Sequence, residues 1–322
     1  MPHRYRYRRS ICPVPSLTDP TASPSRQEHI MSNSTDRVLP ILVGIDGSTE
    51  ADAAALWAAA YAAKTHASVR LIHAVPEGDW YGSAAFVDGG ALERDLRMIG
   101  RKHLTRAAGA MHDVAPDVSV DIVSVDGTIA SYLSNADAEL IVLGSRKSSA
   151  LRDLTLGSNT LRVVTHARCP VLLVRGGGES VDPARPIVVG VDGSEQSDRA
   201  LSAALEFAHT VGAPVVAANY WGFAAQPGLG TGFEGVDWVS IRAHEKHWLE
   251  THVEKMHEKY PEVALSTVSA QSSPTRGLRA MSASASMLVV GSRGRGALRG
   301  TILGSVSQNL VHHADCSVLI VR

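Results

Sequence analysis

Several ingredients that mark other protein classes are scarce in this sequence of 322 residues. Three cysteines (Cys12, Cys169 and Cys316) are too few and too scattered for a disulfide framework or a zinc cluster, which favours a reducing cytoplasm. No apolar run approaches the roughly 18–20 residues that span a bilayer. The formal net charge is only -1, so bulk electrostatics point to neither nucleic acid nor an anionic membrane as a partner.

The first 37 residues lack an apolar stripe that could build a core, and they are rich in Arg, Pro, Ser and Thr. Arg8-Arg9 is a weak match to a twin-arginine export signal, because no apolar segment follows it. We therefore expect residues 1–37 to be a disordered tail, of which the first thirty residues are spurious if translation starts at Met31.

The rest of the chain is a duplication. Three blocks recur at a nearly constant offset: Ile41–Ser48 as Ile187–Ser194, Leu140–Arg146 as Met287–Arg293, and Cys169–Arg175 as Cys316–Arg322. A period this long indicates two tandem domains rather than a solenoid. We place them at 38–176 and 187–322, joined by a linker at 177–186 that is first rich in glycine and then stiffened by proline.

Each repeat has the pattern of an α/β domain. In the first repeat, apolar runs predict five strands, at 40–46, 68–75, 118–125, 140–145 and 171–175. Because several runs lack strict alternation, they are typical of a parallel sheet that is buried on both faces. Two apolar stripes at helical spacing lie between the strands and predict core-facing helices: Ala53, Leu56, Trp57, Ala60 and Tyr61, then Leu92, Leu96, Ile99, Leu104 and Met111. The expected fold is doubly wound, with right-handed crossovers.

A glycine motif, G-x2-G-x9-G-S, follows an apolar run in the second repeat and comprises Gly291, Gly294, Gly304 and Ser305. Glycines let the backbone approach a ligand and permit positive φ, and the helix that follows would offer free N–H groups to a phosphate. Asp46 and Asp192 end the first strand of each repeat, at the edge where such sheets bind ligands. Taken alone, each aspartate is better explained as a turn or capping residue. Its recurrence beside a glycine motif in both repeats favours a ribose or adenine contact.

The first repeat has an altered copy of the motif, in which Lys147 stands at the position of the second glycine. If that position needs positive φ, the lysine costs about 1 kcal/mol and its side chain crowds the phosphates. Alternatively, its ammonium group reaches a phosphate and compensates. The sequence leaves both interpretations open.

With V-G-[IV]-D-G-S and C-[PS]-V-L-[IL]-V-R beside the glycine motif, residues 38–322 resemble a tandem universal stress protein. The resemblance implies in each domain a five-stranded parallel sheet of order 3-2-1-4-5 that binds ATP, with or without Mg²⁺, at the strand ends. In the second domain the implied contacts are Val191, Asp192, Tyr220, Val290, Gly291, Arg293, Gly294, Gly304, Ser305 and Val306. In the first domain they are Ile45, Asp46, Ala74, Leu143, Gly144, Arg146, Gly157, Ser158 and Asn159.

The resemblance also implies a cytoplasmic stress-response regulator that forms a homodimer and acts on a protein partner the sequence does not identify. A nucleotide-free scaffold and a weak ATPase are the alternatives, and no Ser-His-Asp or paired-carboxylate arrangement can be assembled from spacing alone. Ala74 leaves room for a purine, whereas Tyr220 would either stack on it or obstruct it. The last strand of each domain is expected to pair, between repeats or between chains.

Two other patterns are set aside. Gly230–Gly235 spells G-x-G-x-x-G but lies in a predicted loop rather than at a strand-to-helix turn, so it is not a dinucleotide fingerprint. Four histidines on one helical segment, His244, His247, His252 and His257, suggest a metal, but no third close ligand is evident. We expect a solvated helix face there, and no metal site.

Overall fold

The computed structural model describes residues 39–76, 89–145, 157–177, 182–222, 237–295 and 303–322. The N-terminal tail, Arg146 and Lys147 of the altered motif, and the Gly230–Gly235 segment lie outside these ranges. Within them, all five strands predicted for the first repeat are present, each within a residue or two of its expected bounds. None of the described helices has the length and hydropathy that crossing a membrane requires.

Strands and helices alternate in both repeats. The first repeat contains β1 (Ile41–Gly44), α1 (Thr49–Thr65), β2 (Val69–Val75), α2 (Gly89–Val114), β3 (Val120–Asp126), α3 (Ile129–Asn135), β4 (Leu140–Gly144), α4 (Ser158–His166) and β5 (Val171–Val174). The second contains β6 (Ile187–Gly190), α5 (Glu195–Val211), β7 (Val215–Trp221), α6 (Trp238–His257), β8 (Leu265–Gln271), α7 (Pro274–Ser282), β9 (Met287–Gly291), α8 (Ser305–His313) and β10 (Ser317–Val321).

The strands form one sheet in the order β3-β2-β1-β4-β5-β10-β9-β6-β7-β8. Within each repeat the strands are parallel and follow the predicted order 3-2-1-4-5. The two halves meet where β5 and β10 pair antiparallel, with Val171 opposite Ile320 and Leu173 opposite Val318. The expected pairing of the last strands therefore occurs within one chain, and it makes a single ten-stranded sheet.

Helices cover both faces of the sheet, which is why the inner strands β1, β4, β5, β6, β9 and β10 are almost entirely apolar. Side chains of α1, α2, α5 and α6 pack with one face, and those of α3, α4, α7 and α8 with the other. Neighbouring residues of a strand serve opposite layers, as Ile41 and Leu42 do. This arrangement is the doubly wound architecture that the sequence predicts.

The predicted α2 stripe is wrong at Ile99, which is 47% exposed, while Leu104 and Met111 are buried. The neighbouring Gly100 is the residue that faces β2: it is buried, and a Cβ there would lie 2.2 Å from the His73 ring. Because successive residues of a helix are rotated by about 100° from one another, Ile99 points away from the sheet.

Three aromatic rings join α1 and α5 beside the strand junction. The rings of Tyr61 and Phe207 stack with centroids 4.6 Å apart, and Trp57 stacks on Tyr61 at 5.2 Å. Burial, with a smaller contribution from the charges of Glu139 and Glu206, raises the pKa of Tyr61. The two repeats thus share an apolar contact in addition to the backbone bonds of β5 and β10.

Candidate functional site

A cavity of about 430 Å³ opens at the carboxyl ends of β6, β7 and β9. The chain leaves β6 into α5 on one face of the sheet and leaves β9 toward α8 on the other, so a cleft forms between the two exits. All ten residues expected in the second repeat line it: Val191, Asp192, Tyr220, Val290, Gly291, Arg293, Gly294, Gly304, Ser305 and Val306.

Among the described residues that line this cavity, Asp192 carries the carboxylate, and that group is firmly oriented. Its Oδ1 accepts hydrogen bonds from the backbone N–H and the hydroxyl of Ser194, at 3.0 and 2.7 Å. Its Oδ2 accepts the backbone N–H of Arg295 at 2.9 Å. Burial by itself would raise the pKa of Asp192, but the hydrogen bonds from Ser194 and Arg295 outweigh it and hold the pKa below its ordinary value.

The local sequence explains how Asp192 acquires this orientation. Gly193 has φ of 76°, a left-handed conformation that lets the chain turn sharply after β6. Ser194 then caps α5, because its hydroxyl accepts the N–H of Ser197 at 3.2 Å. The Ser197 hydroxyl in turn accepts the N–H of Gly193 at 3.1 Å. The D-G-S sequence is therefore both a turn and a helix cap, as well as part of the cavity wall.

Close approach, and not positive φ, explains the first two motif glycines. Neither Gly291 nor Gly294 adopts a left-handed φ, so that part of the expectation is wrong. A Cβ at position 294 would lie 2.3 Å from Oδ2 of Asp192. A Cβ at position 291 would lie 2.8 Å from Cβ of Gln196, in the first turn of α5. Because these contacts are too short for a carbon atom, both positions require glycine as the chain is packed.

The N-terminus of α8 forms the wall opposite Asp192. Gly304 is its N-cap and supplies no side chain to bond the first-turn N–H groups. Two bonds fix this helix end to the motif loop: the Gly304 N–H to the Ser292 carbonyl at 2.7 Å, and the Ser307 hydroxyl to the Gly291 carbonyl at 2.6 Å. An uncapped helix start of this kind attracts anions through its N–H groups and its dipole.

The inner end of the cavity is apolar. Val191 and Val290 are buried, and Leu278 reaches in from α7. The Tyr220 ring also lines the cavity and packs so tightly on α7 that a Cβ at Gly277 would lie 2.3 Å from its Cε1. Burial raises the pKa of Tyr220, so the phenol is neutral at physiological pH.

Some lining residues were not predicted from the sequence. Arg295 directly follows the second motif glycine, and its guanidinium lies 5.4 Å from the centroid of the Trp248 ring. Ser197 and Ser307 lie within a turn of predicted residues, so extending each motif by a few positions would have found all three. Pro274 and Leu278 belong to α7, where no motif marks them, and only the fold brings them to the cavity.

The family model described as the universal stress protein family matches residues 38–175 and 183–322. This chain belongs to that family. It is 31% identical over 294 residues to universal stress protein Rv2005c of Mycobacterium tuberculosis strain H37Rv, covering 88% of this chain and 96% of that protein. It is 30% identical over 293 residues to universal stress protein Rv2623 of the same strain, with the same coverage.

A solved universal stress protein from Archaeoglobus fulgidus DSM 4304 has a TM-score of 0.64 against this structure at 15% identity. The match covers 88% of this chain and 98% of that one. At this identity the likeness concerns the fold alone. It extends over both tandem universal stress protein domains rather than one of them.

In the first universal stress protein domain, the expected residues occupy the equivalent elements. Ile45 and Asp46 follow β1, and Gly157 caps α4 as Gly304 caps α8. The remaining expected positions lie in β2 (Ala74), at the end of β4 (Leu143 and Gly144) and in the first turn of α4 (Ser158 and Asn159). Arg146 lies outside the described residues.

The strand-end aspartates of the two domains differ in exposure. Asp46 accepts the backbone N–H and the hydroxyl of Ser48 at 2.9 and 2.5 Å, as Asp192 does from Ser194. However, Asp46 is exposed, whereas Asp192 is half-buried. The ring that packs against the turn after the first strand also differs between the two domains. A Cβ on Gly47 would lie 2.5 Å from the His103 imidazole, and one on Gly193 would lie 2.8 Å from Trp248.

The four histidines of α6 do not share one environment. His244 and His247 are exposed, as expected for a solvated face. His252 stacks on Trp248 and lies 2.8 Å from Oδ1 of Asp198, and His257 bonds the Val263 carbonyl at 2.7 Å. Within the part of the chain that the structure describes, no group of three or more His, Cys, Asp or Glu side chains could hold a metal ion.

Proposed function

We propose that the second domain binds ATP, and that the chain is an ATP-binding regulator of the stress response. One observation carries the proposal: a single cavity of about 430 Å³ combines an apolar end, an oriented carboxylate and an uncapped helix start. Its volume falls in the range of about 300–1,000 Å³ that is typical of small-molecule sites. The three chemistries match the three parts of a nucleoside polyphosphate.

Each part of ATP has a partner of suitable chemistry. The adenine ring would lie against Tyr220 and the apolar end, where an aromatic face favours stacking. The ribose hydroxyls would donate to Asp192, whose low pKa keeps it ionised and whose Oδ2 accepts only one hydrogen bond, from Arg295. The phosphates would accept hydrogen bonds from the N–H groups of Ser305 and Val306, and Arg293 and Arg295 would contribute positive charge at the rim of the cavity. Mg²⁺, if bound, would neutralise phosphate charge.

The same cavity favours binding over turnover. Asp192 is the carboxylate among its described lining residues, and both of its oxygens already accept hydrogen bonds. A carboxylate with a lowered pKa is a weak general base, because it holds a proton poorly at neutral pH. A regulator that senses ATP is therefore the better proposal than a dedicated ATPase.

Three parts of this proposal rest on the resemblance to the family: binding by the first domain, a homodimer and a cytoplasmic location. The antiparallel junction already joins β5 to β10 within the chain. A homodimer of the whole chain must therefore use a surface other than these two strands. Sedimentation velocity of the purified chain tests that assembly.

The direct test is mass spectrometry of ligand released from denatured, purified protein, followed by calorimetric titration with ATP. Gly304→Glu places a carboxylate at the phosphate end, and Gly157→Glu is the matched change in the first domain. Both glycines have backbone angles that any residue tolerates, with φ of -73° and -52°. A melting curve for each variant checks that it is folded.

We expect the wild type to bind ATP and Gly304→Glu to lose one equivalent. Gly157→Glu reports separately on the first domain, where Lys147 replaces the second glycine. No released nucleotide and no heat of binding in the wild type would overturn the proposal. A scaffold would instead retain its protein partner in both variants.

A further inference from the structure

An arginine of the first domain holds a helix of the second. Arg175 follows β5, and its side chain crosses the strand junction to the C-terminus of α8. Its Nη1 donates to the carbonyls of Ala314 at 2.6 Å and Leu310 at 3.4 Å, and its Nη2 donates to the Val311 carbonyl. These are carbonyls of the last turn and of the C-cap of α8.

An equivalent contact runs from the second domain to the first. Arg322 follows β10, and its Nη2 donates to the carbonyl of Val164 in α4. The antiparallel register of β5 and β10 explains the exchange, because the end of each strand lies beside the start of the other. Each strand starts shortly after the last helix of its own domain. Each arginine therefore contacts the C-terminus of the last helix of the other domain.

The physical chemistry of this contact is specific to a guanidinium. The last carbonyls of a helix have no partners within the helix and form the negative end of its dipole. Burial lowers the pKa of Arg175, which is the cost of removing its charge from water; the carbonyl bonds offset that cost. A planar fork of donors can reach several carbonyls at once, whereas a lysine ammonium acts as a point charge.

The other end of α8 is the phosphate end of the candidate site. Ser305 and Val306 line the cavity, and the Gly304 and Ser307 bonds fix this end to the motif loop. The helix has nine residues and spans about 13 Å. Because the backbone bonds make so short a helix stiff, holding its C-terminus as well as these two bonds restricts where its N-terminal N–H groups stand.

We propose that Arg175 is a positioning residue for the ATP site of the second domain. By fixing the C-terminus of α8 it sets where the phosphate-facing N–H groups stand, so that this site depends on the first domain. The inference rests on the proposed function, since it assigns a role at the same site. Arg175 itself is not among the described residues that line the cavity.

The test compares Arg175→Met with the matched change Arg322→Met in the full-length chain, with Gly157→Glu present to silence the first site. Calorimetry measures the affinity for ATP and for adenosine, which lacks the phosphates. We expect Arg175→Met to weaken ATP binding about tenfold and to leave adenosine unchanged, whereas Arg322→Met changes neither. Equal weakening of ATP and adenosine, or no weakening of ATP, would overturn the inference.

Amide hydrogen exchange without ligand separates this inference from the proposed function. Arg175→Met should speed exchange in α8 about tenfold and leave α4 unchanged, and Arg322→Met should do the reverse. If the wild type binds no ATP, the proposed function fails. If α8 exchanges at the wild-type rate in Arg175→Met, the arginine does not hold that helix and the inference fails. Arg175→Lys, expected to be intermediate, replaces the methionine variant if that variant does not fold.

Discussion

A side-chain carbon on Gly294 would lie 2.3 Å from Oδ2 of Asp192, the oxygen that accepts the N–H of Arg295. The second motif glycine and the strand-end aspartate are therefore one structural unit, although they are distant in sequence. A larger residue at position 294 must displace either the loop or the carboxylate. Lys147 takes the corresponding place in the first domain, where Asp46 is exposed.

Gly294→Ala should weaken ATP binding about tenfold, because the added methyl group displaces the Asp192 carboxylate from the ribose position. Calorimetric titration measures the effect. Gly109→Ala is the matched control: a Cβ there meets no atom within 4 Å, and the position is inside α2. That change should leave binding intact and add about 0.5–1 kcal/mol to the free energy of unfolding. Equal affinities in the two variants would contradict the role given to Gly294.

The stability of the chain should depend on the ionisation of Asp192. Its folded pKa is lowered, so its contribution is complete above the unfolded pKa of about 3.9 and is lost as pH falls through the folded pKa. Urea unfolding between about pH 3 and 7 measures this. Asp192→Asn should lower the free energy of unfolding at neutral pH and flatten its acid dependence. Parallel pH profiles for the two proteins would exclude the effect.

Removing the Phe207 ring should loosen the contact between the domains. Phe207 is 8% exposed and stacks on Tyr61, so Phe207→Ala should cost about 3 kcal/mol. Phe207→Leu preserves most of the volume and should cost less than about 1.5 kcal/mol. Chemical denaturation followed by circular dichroism and by fluorescence measures both changes. A cost below about 1 kcal/mol for the alanine variant would show that the ring contact is unimportant.

The thiols of Cys169 and Cys316 should be inert in the folded chain. Burial raises the pKa of each to about 11, so almost no thiolate is present at neutral pH. Iodoacetamide at about pH 8, followed by peptide mass spectrometry, should leave both unmodified. The same treatment in urea should modify both. Rapid alkylation of either thiol in the folded protein would contradict its burial.

The sequence predicted the fold well, because its evidence is local and appears twice. Apolar runs such as Ile41–Gly44 and Leu140–Gly144 are recognised without knowing what they pack against. The exposure of Ile99 was missed because an apolar residue at the margin of a helical stripe fits the pattern. Only the assembled domain shows that the neighbouring Gly100 is the residue against the sheet.

Residues of the candidate site were predictable where a motif marks them. Asp192 and Gly304 stand in repeated blocks, whereas Leu278 reaches the cavity from an element with no distinctive pattern. The conformation of Gly294 was not predictable either, since close approach and positive φ both select glycine. The contact of Arg175 with the C-terminus of α8 was the least predictable, because it depends on the antiparallel register of two strands from different repeats.

The antiparallel junction has a consequence for either half of the chain made alone. β5 and β10 are wholly buried, and each would become an unprotected apolar edge without the other. An isolated half should therefore associate with its own copy through that edge. In the tandem chain the linker holds the two strands at an effective concentration of about millimolar. Because the two domains are joined in one chain, the pairing of β5 with β10 does not depend on protein concentration. The pairing of two separate halves would be reversed by dilution.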